Sequence, residues 1–180
     1  MTSITLKSTG ETITFVKTGK DTEGAFTEII CTIPAGKKGP PPHIHPLQDE
    51  LFEVIEGKLE LSANGKKIIL EHGQSFNVTA KMPHTFSNPL DRETKIRATY
   101  KPALDIDYML VQGFESLNSQ SNPDKPSLQM IVDFDFILKQ IRGQYEFAGA
   151  SGIIFTIFAA IARLFIKPKV KTLKDHNASF

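Results

Sequence analysis

Residues 36–57 read Gly36-Lys-Lys-Gly39-Pro40-Pro-Pro42-His43-Ile-His45-Pro46-Leu-Gln48-Asp-Glu50-Leu51-Phe52-Glu-Val54-Ile55-Glu-Gly57. His43 and His45 stand two positions apart, so on an extended strand both imidazoles leave the same face. The Pro-Leu-Gln-Asp step after them is a turn, from which the chain folds back and presents the Glu50 carboxylate beside the two rings. A further histidine, His84 in Lys81-Met-Pro83-His84-Thr-Phe86-Ser-Asn88, falls on a later expected strand with Phe86 and Asn88 on its parity. Three imidazoles and one carboxylate suit a single mid-row divalent transition-metal ion: Mn, Fe, Ni, Cu or Zn. Ligands on separate strands of a rigid scaffold leave coordination positions for water, dioxygen or substrate.

Outward from this block, the chain up to about Lys101 reads as β. Short runs rich in Ile, Val, Thr and Phe are separated by turn signals at Ser8-Thr9-Gly10, Gly19-Lys20-Asp21, Glu56-Gly57, Asn64-Gly65 and Glu71-His72-Gly73. Asn64-Gly65, between LELSA and KKIIL, predicts a tight hairpin because both central residues tolerate positive φ. Short strands at such spacing predict a sandwich or barrel. In 51–55, Phe52 and Val54 share one face while Leu51 and Ile55 share the other, which predicts a covering layer of helices or a second subunit outside the barrel.

After Pro102 the period changes. Ile106, Met109, Leu110, Gly113, Phe114 and Leu117 fit one helical stripe. A polar, Pro-containing loop over 116–127 follows, with Ser127 as the expected cap of a second helix whose stripe is Met130, Phe134, Ile137, Leu138, Ile141 and Tyr145, weakened near its end by Gly143. A third helix is expected from Ser151 to about Ile166, stopped by Pro168. The expected organisation is a β-barrel over 1–103, a helical extension over 104–168 and a frayed polar tail over 169–180.

Composition narrows the function classes. Twenty-one Lys and Arg against 20 Asp and Glu in 180 residues give a net charge of +1, which argues against a nucleic-acid partner bound through a general basic field. The single cysteine, Cys31, excludes an intramolecular disulfide framework and any Cys-cluster zinc site. The N-terminal MTSITLKSTGET has no charged start followed by an apolar run, so the reducing cytoplasm is the expected compartment.

The two histidine blocks resemble the cupin superfamily, whose motifs are G(X)5HXH(X)3,4E(X)6G and G(X)5PXG(X)2H(X)3N. The first is met as His43-x-His45-x4-Glu50-x6-Gly57, with its leading Gly displaced to Gly36 and Gly39 nearby. The second aligns as Gly73-x5-Thr79-x-Lys81-x2-His84-x3-Asn88, with Thr79 and Lys81 standing where the motif has Pro and Gly; Pro83 is a candidate substitute for the rigid turn. The wording DELFEVIEG and PHTFSN looks most like small single-barrel bacterial cupins of the quercetinase-like type. The resemblance implies an all-β, double-stranded β-helix (a jelly-roll barrel) here carrying a C-terminal α-helical extension. It also implies a metal held by His43, His45, Glu50 and His84, and commonly a homodimer.

Two functions of different class follow. The first is a metal-dependent dioxygenase acting on a small organic, phenolic substrate, with Glu50 as a metal ligand or as the base that takes the substrate proton. The second is a module that binds or senses a small molecule without turnover. Phe52, Val54 and Phe86 share the ligand parity and are either pocket wall or ordinary core. Gln48 is either a hydrogen-bonding neighbour of the ligands or an exposed turn residue, and Asn88 is expected to satisfy backbone groups at its strand end. Cys31 reads as a small buried hydrophobe, and His72 and His176 as solvent-exposed. For the apolar run 147–166, the stripe Ile154, Ile157, Phe158, Ile161 and Phe165, with Ser151, Ala159 and Ala162 facing elsewhere, predicts packing on the barrel or across a dimer. The lysines that follow, Lys167, Lys169, Lys171 and Lys174, keep a peripheral membrane anchor open, and Gly149, Gly152 and Arg163 weigh against a spanning helix.

Overall fold

A computed structural model describes residues 2–122 and 127–179. The middle of the expected polar loop, 123–126, lies outside the described residues, as does the side chain of Ser151. The strands are β1 (Ser3–Thr5), β2 (Thr12–Lys17), β3 (Thr27–Ile33), β4 (His43–Ile44), β5 (Asp49–Glu56), β6 (Lys58–Ala63), β7 (Lys66–Glu71), β8 (Ser75–Val78), β9 (His84–Ser87), β10 (Thr94–Lys101) and β11 (Glu146–Phe147). They form two antiparallel sheets, in the orders β1-β2-β3-β10-β5-β8 and β11-β4-β9-β6-β7. Ile29, Phe52, Leu61 and Phe86, drawn from both sheets, belong to one buried core, a jelly-roll-like arrangement of two packed sheets.

Alternation produces these sheets. In β3 the side chains of Thr27, Ile29, Cys31 and Ile33 are buried while those between them are half-buried, as a strand with one core-facing side requires. Burying a side chain the size of Phe52 or Leu61, both fully enclosed, stabilises by about 1.5–3 kcal/mol over leaving it in water. Asn64 and Gly65 both have positive φ and join β6 to β7 with Ala63 opposite Lys66, the hairpin expected from the sequence. Cys31 is buried, as expected, and its thiol donates to Glu11 Oε1 at 3.3 Å.

Of the two covers expected outside β5, the chain's own helices do not supply one: Leu51 is exposed in the single chain. The helices gather instead beyond the end of β10: α1 (Ile106–Asn118), α2 (Leu128–Gln140), α3 (Ala150–Ala162) and α4 (Leu173–Ser179). Ser127 caps α2 by accepting from the Met130 N–H at 3.1 Å. The Asp107 carboxylate ties α1 to the barrel, accepting from the Gly19 N–H and the Thr27 hydroxyl, each at 2.7 Å.

Two expectations about the C-terminal third are corrected. First, the stripe of α3 does not pack on the barrel: Ala159 and Ala162 are its buried residues, while Ile154, Ile157, Phe158, Ile161 and Phe165 are exposed in the single chain. Small side chains let α3 lie close against its neighbours, α2 and β11, and that closeness fixes the docked face. At the same end, a Cβ on Gly152 would stand 2.7 Å from the Phe147 carbonyl oxygen. Second, the tail is bound rather than frayed. The Lys169 N–H donates to Asp133 and the Lys171 N–H to Gln112, both at 2.8 Å, and the Tyr108 hydroxyl donates to the Lys171 carbonyl at 2.9 Å. His176 is therefore buried, with its ring 5.4 Å from that of Tyr108.

Candidate metal centre

His43 sits on β4 opposite His84 on β9, His45 follows one residue beyond β4, and Glu50 lies on β5 in the other sheet. The Pro-rich approach and the Pro46–Gln48 turn thus bring Glu50 of the six-stranded sheet against the three histidines at β4 and β9 of the five-stranded one. All four residues are buried, and one ligand atom from each can be chosen so that all lie within 4.8 Å of one another.

The hydrogen bonds around the rings prepare them for this. His43 Nδ1 lies 3.0 Å from the Pro41 carbonyl oxygen and His84 Nδ1 lies 3.0 Å from that of Met82. A carbonyl can only accept, so each Nδ1 carries the proton and each Nε2 is the atom left for a metal. His45 Nδ1 is buried with no hydrogen-bond partner among the described residues. Glu50 Oε2 lies 2.8 Å from His84 Nε2 and 3.3 Å from His45 Nε2.

The electrostatics follow from burial and from this carboxylate. Burial alone would raise the Glu50 pKa, but hydrogen bonds from His45 and His84 and their charge outweigh it and hold the carboxyl ionised, well below its usual range. Burial also pushes His84 down, but the hydrogen bond and charge of Glu50 raise it above an ordinary histidine. For His43 burial dominates, reinforced by the charge of His84 and His45, and its pKa falls to about 3. Three imidazoles and one anion enclosed together are a costly arrangement unless cations offset it. A donor set of three His nitrogens and one carboxylate, two of the rings already fixed through Nδ1, suits a single divalent metal ion.

Residues beyond the four complete the site. Tyr145, placed by the sequence pattern at the end of the second helical stripe, instead precedes β11, which pairs Phe147 with His43 and Glu146 with Ile44. The Tyr145 ring stacks on His43 at 4.8 Å and 16° and meets His45 edge-on at 5.4 Å. The signal was present in QYEFAG, where Tyr145 and Phe147 alternate with polar residues just after Gly143. Tyr100, on β10, sets its ring 5.6 Å from His45. Burial raises the pKa of both phenols, reinforced by the charge of Glu50, so both remain proton donors.

The other expected neighbours fall out as follows. Phe52 packs edge-on 6.1 Å from the His84 ring and 5.6 Å from Phe86, and Val54 lies in the same core. Gly39 receives the Phe86 ring so closely that a Cβ would stand 2.4 Å from it. Gln48 is neither exposed nor bonded to a ligand. Its buried amide donates to the Pro102 and Ala103 carbonyls at 2.8 and 2.7 Å, clamping the exit of β10. Asn88 closes its strand end as expected, donating to the Ile33, Pro34 and Arg92 carbonyls. Lys81 adopts φ of +69°, the left-handed conformation that glycine adopts most easily, at the position where the second motif has glycine. His72 is exposed, as expected. Between β11 and α3 lies a cleft of about 290 Å3, lined by Tyr145, Phe147, Gly149, Gly152, Ile153 and Thr156 among others.

Residues 29–100 match the family model of the cupin domain. Among similar solved structures, KdgF from a Halomonas species shares 20% identity over 52% of this chain and 79% of its own, with a TM-score of 0.46. An RmlC-like cupin from Shewanella frigidimarina shares 19% over 56% and 83%, with a TM-score of 0.48. A cupin-superfamily sugar phosphate isomerase from Silicibacter pomeroyi shares 22% over 51% and 59%, with a TM-score of 0.46. No curated protein matches the chain. Residues 29–100 thus carry a cupin domain.

Proposed function

We propose that this cupin holds one divalent transition-metal ion through His43, His45, Glu50 and His84, and acts with it as a dioxygenase-type oxidoreductase on a small phenolic substrate. The observation that carries the metal reading is the convergence of four buried ligand atoms within 4.8 Å, with two Nδ1–H groups already committed to backbone carbonyls. When bound, such an ion supplies Lewis acidity toward a substrate oxygen and redox chemistry for dioxygen. Glu50, held as an anion by its neighbours, is the base that accepts the hydroxyl proton of the substrate. Phe52, Val54 and Phe86 give the apolar wall, and Tyr145, stacked on His43, excludes water from the ligands. In this reading the chain works in the cytoplasm, where Cys31 stays a buried thiol.

A second reading, a small-molecule-binding or sensing module, is favoured by that same Tyr145 contact, because a ring seated on a ligand histidine closes the approach to the ion. Oxygen uptake by the metal-loaded protein over a panel of flavonols and catechols separates the two. Uptake above that of the His43→Ala/His45→Ala variant supports the enzyme. Ligand binding in the micromolar range or tighter without uptake supports the module.

A further inference from the structure

The apolar face of α3 has no partner within the chain. Ile153, Ile154, Ile157, Phe158, Ile161, Leu164 and Phe165 are all more than half exposed, from 54% for Ile154 and Phe158 to 83% for Phe165. At 100° per residue the five within the helix span about 140° of its circumference, and Leu164 and Phe165 continue the same surface. On the opposite side Ala159 and Ala162 are buried. The helix is thus apolar all round, and the face that would be polar in a free surface helix is occupied by the protein itself.

The segment that carries and follows this face is basic, bounded by Glu146 before it and Asp175 after it. From residue 147 to residue 174 the sequence contains no Asp or Glu, while Arg163, Lys167, Lys169, Lys171 and Lys174 are all present and exposed. Arg163 makes an ion pair with Asp135 of α2 at 3.3 Å; the four lysines follow directly on the end of the apolar surface. An exposed apolar surface followed by four exposed lysines complements a lipid surface carrying anionic headgroups. Length decides how α3 meets it. Thirteen residues make a helix of ~20 Å against a hydrocarbon core of ~30 Å, and no helix among the described residues is long and apolar enough to cross a membrane.

We infer that α3 lies in the plane of an anionic lipid surface, its Ile153–Phe165 face in the apolar boundary and Lys167, Lys169, Lys171 and Lys174 at the headgroups. The inference is independent of the reaction at the metal centre, but the two places are joined. The start of α3 and the segment carrying Tyr145 line the same cleft, and β11 links that segment to His43. Docking would place this cleft beside the lipid boundary.

The test is co-sedimentation of the full chain with vesicles of 3:1 phosphatidylcholine:phosphatidylglycerol, and with phosphatidylcholine alone. The expected result is pelleting with the anionic vesicles and at least ~10-fold weaker partitioning of Ile157→Glu/Phe158→Glu. Lys167→Gln/Lys169→Gln/Lys171→Gln should weaken it by up to ~5-fold for each lysine at the surface. Leu164→Ser/Phe165→Ser, outside the helix proper, gives a second variant whose fold does not depend on α3 accepting charge. Circular dichroism and bound metal should be those of the wild type in each. Wild type left in the supernatant with both vesicles, or α3 variants that pellet like wild type, would overturn the inference. So would a dimer in sedimentation velocity that Ile157→Glu/Phe158→Glu dissociates, because a second copy would then cover this face.

Discussion

The barrel encloses ionisable side chains and the helical extension exposes apolar ones, the reverse of ordinary burial in each case. Inside the barrel three histidines and a glutamate are held on the strands of two sheets, and the cost of enclosing them is offset by mutual hydrogen bonds. On α3 and the turn after it seven large apolar side chains are exposed while Ala159 and Ala162 are buried. A buried polar cluster and an exposed apolar patch are the two departures from the burial rule that carry functional information. The barrel's departure points to an ion and the extension's to a surface.

The sharpest way to break this comparison is to truncate one apolar side chain in each region. Leu61→Ala in the barrel should cost ~2–5 kcal/mol in urea unfolding, because Leu61 is fully enclosed. Ile157→Ala on α3 should stay within ~0.5 kcal/mol in buffer. A large loss at Ile157 would mean that a partner already covers α3 in solution.

Protonation sharpens the barrel side. In chelator-treated protein, His43 stays neutral down to about pH 3, while its unfolded counterpart takes up a proton near 6.5. The unfolded state therefore binds more protons between these values, and stability falls as pH drops through that window, by up to ~1.4 kcal/mol per unit. The depressed Glu50 adds to the loss below its ordinary pKa of 4.5. The raised His84 acts in the other direction and above 6.5: its stabilisation is complete below that pH and is lost as pH rises through its folded value. Melting temperature against pH should thus peak near 6.5 without metal. His43→Leu should flatten the acid limb.

A smaller effect tests the junction of the two regions. Gln48→Ala strands the Pro102 and Ala103 carbonyls that its amide satisfies and should cost ~1–3 kcal/mol, measured by the same unfolding. The smallest change expected is at Tyr145→Phe, which keeps the ring stacked on His43 and should leave metal content unchanged.

The barrel was legible because its signals are local. Period-two burial in β3, the Asn64-Gly65 turn and the His43-x-His45 spacing each follow from a few adjacent residues. The four ligands could be named because their spacing matches a family motif, and the structure brings those four together. What the sequence left unread depends on contacts between distant segments. Gln48 was ambiguous because its partners lie at residues 102 and 103. Tyr145 was hidden because a two-residue strand after a helix shows too short an alternation to outweigh the helical stripe before it. The face by which α3 docks within the chain was not legible because a hydrophobic stripe predicts burial without naming the partner, while the residues buried here are Ala159 and Ala162. His176 lies in a seven-residue helix whose position is set by backbone bonds to Gln112 and Asp133.

The most direct test is elemental analysis of the wild-type protein, purified without chelator, beside His43→Ala/His45→Ala. The account predicts close to one transition-metal ion per chain in the wild type, and a drop to background in the folded double variant. A wild type without stoichiometric metal, or a variant that retains it, would contradict the assignment of His43, His45, Glu50 and His84 as the metal centre.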